Sequence, residues 1–218
     1  NNEWKRPIYF AITVPSDNYM GLDKYLYQEG FAYRLQPLTP KTEESDTHLN
    51  AQEMYNNLMN KFRYGNMRNA SYLDPESGRM AVILMNTINM TAEELIKEGK
   101  VTEAKNLLNK CLEVIPSKIN SLSFAIREYY LAELLYQVKE TQKANTLAKA
   151  TADYAIDQLN YLTDVAKTKS SINSNDIQLN LSILNELVNT TKANGQTGLS
   201  TDLEKRFKEV QSNLSGIQ

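Results

Sequence analysis

From Asp74 onward the sequence repeats one pattern that leaves little choice of fold. Long stretches carry apolar residues at helical spacing, and short breaks at glycine or proline separate them. Asp74-Pro75-Glu76 opens the first stretch, with Asp as N-cap, Pro in the first turn and an acid at the positive end of the helix dipole. The spacing predicts a helix from about Glu76 to Glu98, stopped at Gly99, and a second from about Thr102 to Val114, stopped before Pro116. A third runs from about Ser121 to Lys139, and a fourth from near Thr141 to Lys167. Ser170-Ser171-Ile172-Asn173 breaks the chain. A fifth helix fills Asp176 to Lys192 and ends at Asn194-Gly195. Thr201-Asp202-Leu203-Glu204 reads as a capping box for a final helix, with Leu203, Phe207 and Val210 on its apolar face. Helices joined by so few residues must fold back on one another as antiparallel hairpins.

The front of the chain reads differently. Pro7-Ile8-Tyr9-Phe10-Ala11-Ile12-Thr13-Val14 is apolar, β-branched and aromatic, which predicts a buried strand. Leu22, Tyr25 and Leu26 at i, i+3 and i+4 predict a short amphipathic helix between Gly21 and Gly30. Phe31, Tyr33 and Leu35 alternate and predict a second strand, closed by Pro37. Strand, helix and strand make a βαβ segment. Two strands are marginal in water, so residues 1–40 are expected to be the end of a domain begun upstream. Residues 41–74 are expected to be a helix and linker. A polar, acidic loop comes first, and then Asn50-Ala51-Gln52-Glu53 caps a helix carrying Met54, Leu58 and Phe62, ended by Gly65-Asn66. Residues 75–218 are the helical-repeat part.

Composition narrows function by exclusion. The 24 basic and 26 acidic residues nearly balance, whereas a nucleic-acid binder needs a basic face to displace phosphate counterions. One cysteine and one histidine cannot build a zinc site of the usual kind. No run approaches the ~18 apolar residues of a membrane-spanning helix. The chain starts at Asn1 and not at Met, and is expected to be cut from something longer.

Two resemblances follow. Gly99, Ala104, Leu108, Cys111 and Pro116 resemble the second half of a tetratricopeptide (TPR) repeat, in which a glycine turns, a small residue lets helices approach and a proline ends the hairpin. Leu131-Ala132, Leu135 and Ala144 echo it forty residues on. The front of the chain resembles the tail region of a family of large Bacteroidetes membrane proteins, protein O-mannosyltransferase-like (domain of unknown function 2723). The resemblance rests on Trp4-Lys5-Arg6-Pro7-Ile8-Tyr9-Phe10-Ala11, Gly21-Leu22-Asp23-Lys24-Tyr25-Leu26 and Glu29-Gly30-Phe31-Ala32-Tyr33-Arg34-Leu35. It continues through Met59-Asn60-Lys61-Phe62, Tyr72-Leu73-Asp74, Arg79-Met80 and the segment from Leu95 to Pro116, covering roughly residues 1–150. It implies an upstream multi-pass membrane region that handles lipid-linked sugars, and a periplasmic place for this part. That catalytic region is absent from the chain, so no catalytic residue carries over.

Candidate residues were weighed against plain structural roles. Asp23 and Glu29 flank the short helix; a glycosidic acid pair needs two carboxylates at a defined separation, which spacing in sequence does not give, and the two read as solvated helix-end charges. Glu43-Glu44-Asp46 lacks the ligand pattern of a calcium loop, and His48 has no nucleophile near it in sequence. Cys111 falls on a small-residue packing position and reads as a buried thiol. Lys5, Arg6 and Arg34 border the strands and are candidate contacts for an anionic group or for an upstream domain. Tyr129, Tyr130 and Tyr136 give one helix an aromatic face that helix-array grooves use for partners.

The sequence therefore predicts a mainly α fold, TPR-like antiparallel hairpins in a short α-solenoid preceded by a small βαβ segment. The expected function is that of a non-catalytic extracytoplasmic accessory domain of a multi-pass membrane glycosyltransferase-like protein. It needs no cofactor or metal, and its partners are the upstream membrane region and a protein or peptide. A free-standing TPR-like peptide adaptor is the alternative, and a soluble glycan-acting enzyme domain a weaker one.

Overall fold

The computed structural model describes residues 5–36, 48–116, 121–167 and 174–215. The acidic loop with Glu43, Glu44 and Asp46, and the Ser170–Asn173 break, lie outside these residues. Four short strands, β1 (Tyr9–Ala11), β2 (Leu26–Gln28), β3 (Ala32–Leu35) and β4 (His48–Leu49), form a sheet in the order β1-β3-β2-β4. β3 pairs antiparallel with both β1 and β2, while β2 and β4 run parallel.

This corrects the expected βαβ segment. Where Leu22, Tyr25 and Leu26 predicted a helix, Asp23–Tyr25 makes a single 3₁₀ turn and Leu26 enters β2. Six residues are too few to nucleate a stable helix. Gly30, at φ 81°, instead supplies a tight reversal into β3, with the Glu29 N–H donating to Ala32 O at 2.8 Å. A local antiparallel hairpin thus wins over a crossover.

The sheet is joined to α1 (Ala51–Asn56), which Asn50 caps by accepting from the Glu53 N–H at 3.0 Å. A π-helical turn, Asn57–Lys61, follows. Phe62 therefore lies past the helix and not on its predicted face. Its ring packs edge-on against Phe31. A Cβ on Gly30 would come within 2.9 Å of that ring, so the glycine is needed for space as well as for its backbone.

Six helices follow: α2 (Pro75–Lys97), α3 (Val101–Val114), α4 (Leu122–Gln137), α5 (Thr141–Ala166), α6 (Ser174–Ala193) and α7 (Thr197–Ser215). Asp74 caps α2 through the N–H groups of Glu76 and Ser77, as its sequence predicts. α7 begins four residues before the expected capping box. The Ser200 N–H donates to Gln196 O, so Thr201 already lies inside a helix.

The hairpins α2–α3, α4–α5 and α6–α7 close identically in hydrogen bonding. Gly99 (φ 77°), Lys139 (φ 64°) and Gly195 (φ 71°) take the left-handed conformation. The next residue in each case, Lys100, Glu140 or Gln196, donates back to Leu95, Leu135 or Thr191. Five residues past each closure stands a small buried side chain: Ala104, Ala144 or Ser200. α2 packs on α4 and α4 on α6, so one helix of each hairpin abuts the same helix of the next. Two core clusters result. One is rich in Leu, Ile and Met around α2, α3 and α4, the other rich in alanine around α4, α5, α6 and α7.

Candidate functional site: the groove between α2 and α4

Among the described residues, three buried side-chain polar atoms lack a hydrogen-bond partner; two of them, Asn89 Oδ1 and Arg127 Nε, belong to residues that line one groove, although both atoms lie beneath its surface. Asn89 sits mid-way along α2 and is 6 % exposed. Its amide donates to the Arg127 carbonyl across the interface at 2.9 Å, which fixes the side chain and leaves Oδ1 unmatched. An unmatched buried polar atom costs on the order of 1–3 kcal/mol.

The groove has a volume of about 520 Å³. Asn86, Met90, Glu93, Ile96 and Lys97 come from α2; Tyr130, Glu133, Leu134 and Gln137 come from α4. Lys97 pairs with Glu93 at 2.9 Å along one side. The Tyr130 ring is 47 % exposed and stands 5.0 Å from that of Tyr129. The result is an aromatic platform beside mixed charges, open to solvent and suited to an extended polar chain.

The three candidate tyrosines part company here. Tyr130 lines the groove. Tyr129 is half-buried toward the second core cluster, and burial first, then the Glu133 charge, pushes its hydroxyl up to about 12. Tyr136 is 2 % exposed and faces the core. Its hydroxyl donates to Asn145 Oδ1, and the Asn145 amide donates to Gln196 Oε1 at 2.8 Å, tying α4, α5 and the α6–α7 link together. It therefore offers nothing to a partner. α4 turns successive residues by about 100°, so Tyr130 points away from its neighbour Tyr129, whereas Tyr136, seven residues after Tyr129, returns to nearly the inward side.

The front basic residues are also separated. Arg34 pairs with Glu29 at 3.4 Å, and the Tyr9 hydroxyl donates to the same carboxylate. Lys5 and Arg6 are exposed before β1, and Asp23 is exposed in its 3₁₀ turn. β4 includes the backbone of His48; its side chain lies outside the described residues. Cys111 is fully buried, and burial together with the nearby Glu128 charge raises its thiol far above the reactive range.

Sequence reasoning missed Asn89, Arg127 and Glu128. The visible signal was an Arg-Glu pair in the middle of the otherwise apolar Leu122–Gln137 helix, and an amide in the apolar stretch of α2. Glu128 lies in a second cleft, where burial pushes its carboxyl up to about 7. Among the described residues no second carboxylate lines that cleft. Among the described residues no group of three His, Cys, Asp or Glu side chains could hold a metal, and no helix is long and apolar enough to cross a membrane.

A family model described as TMEM260-associated domain 2 matches residues 1–53, the stretch that contains the sheet and the start of α1. No curated protein and no solved structure matches the chain.

Proposed function

We propose that this chain is a non-catalytic, extracytoplasmic accessory domain of a membrane-bound glycosyltransferase-like protein, and that it acts by holding a protein segment in the α2–α4 groove. The observation that carries this is the open groove itself, where the exposed Tyr130 ring stands with Glu93, Lys97 and Glu133. An aromatic ring beside charges of both signs suits an extended polar segment. The family match at the front supports the link to a larger membrane protein. β1 forms one edge of the sheet, and Ile8, Tyr9 and Met20 are exposed around it. An open strand edge with apolar neighbours is a docking surface for the rest of such a parent.

The hairpin closure at Gly99 with the buried Ala104 also favours a second reading, a TPR-like adaptor acting on its own. One experiment separates the readings and tests both. A photo-crosslinking amino acid is placed at Tyr130 in the native protein, with Tyr161 on α5 as control. The accessory reading expects crosslinks from position 130 to a membrane-embedded protein or to the parent's own membrane region, and none from 161. Crosslinks only to soluble peptides favour the adaptor. Equal labelling from both positions removes the groove from the account. Turnover of polyprenyl-phosphate sugars or oligosaccharides by the purified chain, lost in Glu128→Gln, would overturn the non-catalytic reading.

A further inference from the structure

The three hairpins share a register counted from the left-handed residue that closes each one. Eleven residues before the closure stand Ile88, Glu128 and Leu184; twelve after it stand Cys111, Thr151 and Phe207. In the first hairpin Ile88 and Cys111 are both fully buried in one core cluster. In the third, Leu184 is fully buried and Phe207 packs against the other. The middle hairpin alone replaces this apolar pair with a carboxylate and a hydroxyl.

That replacement is poorly compensated. The Thr151 hydroxyl lies 3.3 Å from Glu128 Oε2 but 3.0 Å from the Leu147 carbonyl, and it has one proton to give. Among the described residues no Lys or Arg pairs with Glu128. A carboxylate in a low-dielectric setting without a cation is costly, and a fold keeps one where a ligand supplies the missing charge. The carboxylate opens into a cleft of about 500 Å³, lined by Leu112, Ala125, Leu147, Ala150 and the Tyr154 ring. Arg68 and Lys143 also line it. Arg68 is anchored by donating to the Ile115 carbonyl at 2.7 Å, and Lys143 by donating to Asn109 Oδ1 at 2.6 Å. Lys143 also pairs with Glu140 at 3.4 Å, and it stands about two helical turns before Thr151 on α5 with Leu147 and Ala150 between, so the cleft is acidic at Glu128, aliphatic between, and basic at Lys143 and Arg68.

We propose that this cleft binds an alkyl ammonium bearing an anionic group at its far end, with Glu128 taking the ammonium, the aliphatic side chains the stem, and Arg68 and Lys143 the anion. The site is formed by α3, α4, α5 and the turn carrying Arg68, and it is separate from the α2–α4 groove. Charge matching at both ends gives orientation, and apolar contact along the stem gives most of the affinity.

Ionisation gives the site a pH signature. Cys111 on α3 and Thr151 on α5 stand next to Glu128, while Lys143 and Tyr154 on α5 and Arg68 line the same cleft. The Cys111 thiol and Tyr154 hydroxyl are both raised and stay neutral near pH 7. Glu128, at about 7, is the lining group that changes charge there. An ammonium ligand requires it ionised, so affinity rises about tenfold from pH 6 to pH 8.

The probe is 6-aminohexanoate, followed by methyl chemical-shift changes at Leu147 and Ala150 in the intact chain, with hexylamine and hexanoate as controls. Expected are saturable shifts at millimolar concentration, weaker binding of hexylamine and none of hexanoate. Glu128→Gln should lose at least tenfold in affinity and the pH dependence with it, while its circular dichroism matches the parent. Lys143→Gln should weaken 6-aminohexanoate but leave hexylamine unchanged. Wild-type affinity in Glu128→Gln, hexanoate binding as well as 6-aminohexanoate, or no shift up to about 10 mM would overturn the proposal.

Discussion

The α2–α3 and α4–α5 hairpins close through the same hydrogen bonds, yet one turns on Gly99 and the other on Lys139. In both, the turn is followed by a fully buried alanine, Ala104 or Ala144. An L-residue in the left-handed region pays roughly 1–2 kcal/mol that glycine does not. Lys139 adopts it because the closure bonds from Lys139 and Glu140 to Tyr136 and Leu135, and the packing of Leu135, outweigh that cost. The geometry is set by the hairpin as a whole, and glycine only makes it cheaper. The second difference is Glu128 at the place of Ile88. The first hairpin spends that position on its core, whereas the second turns it toward a cleft.

The comparison can be tested most strongly at the shared core positions. Leu95→Ala and Leu135→Ala each remove a fully buried side chain that stands four residues before its closure. Each should cost about 2–5 kcal/mol, and the two losses should agree within about 1 kcal/mol. Urea melts of both variants check this, and a loss in one hairpin only would break the equivalence.

A smaller effect is expected at the position where the hairpins differ. Burial raises the Glu128 carboxyl from 4.5 to about 7. Below pH 4.5 it is protonated in both folded and unfolded chains, so nothing is lost. Between pH 4.5 and 7 the unfolded chain ionises this carboxyl while the folded one keeps it protonated, so stability falls through that window and levels off above it. Glu128→Ile should therefore gain on the order of 2–3 kcal/mol at pH 8 relative to its effect at pH 4. A gain independent of pH would mean that apolar contact, and not ionisation, separates the two hairpins.

The smallest effect concerns the closures. Lys139→Gly should stabilise by about 0.5–1 kcal/mol, and Gly99→Ala should destabilise by about 1 kcal/mol or more. Thermal melts showing Lys139→Gly to be destabilising would mean that the lysine side chain itself holds the second turn.

The helical part was legible because its signals are local. Asp74-Pro75 starts α2 and Gly99 ends the first hairpin, and each acts through its own backbone chemistry. The limits of α4 and α5 were also readable, although Lys139 gives no hint of its left-handed turn. The front was less legible. Leu22, Tyr25 and Leu26 fit helical spacing, but so short a stretch takes whichever pairing is nearest, and Gly30 placed β3 beside it. Phe62 fitted the α1 face until the π-helical turn carried it past the helix end and onto Phe31. In the groove, Tyr130 stood out as an aromatic residue, while Asn89 and Arg127 did not.

The sequence by itself determined a mainly α chain of antiparallel hairpins, with small residues where helices meet and a β-rich front. Those properties follow from apolar spacing, caps and backbone freedom, which act within a few residues. The tertiary structure alone decided that the front is a mixed sheet built on the β2–β3 hairpin, that Tyr136 is core while Tyr130 is surface, and that Asn89 and Arg127 share a groove. It also placed Glu128 beside Thr151 in a cleft. These depend on which faces meet across 23 residues for Glu128 and Thr151 or 38 for Asn89 and Arg127, and on whether a buried polar atom finds its partner there. Helical periodicity says that a face exists; only the packing of one helix on another says what that face meets.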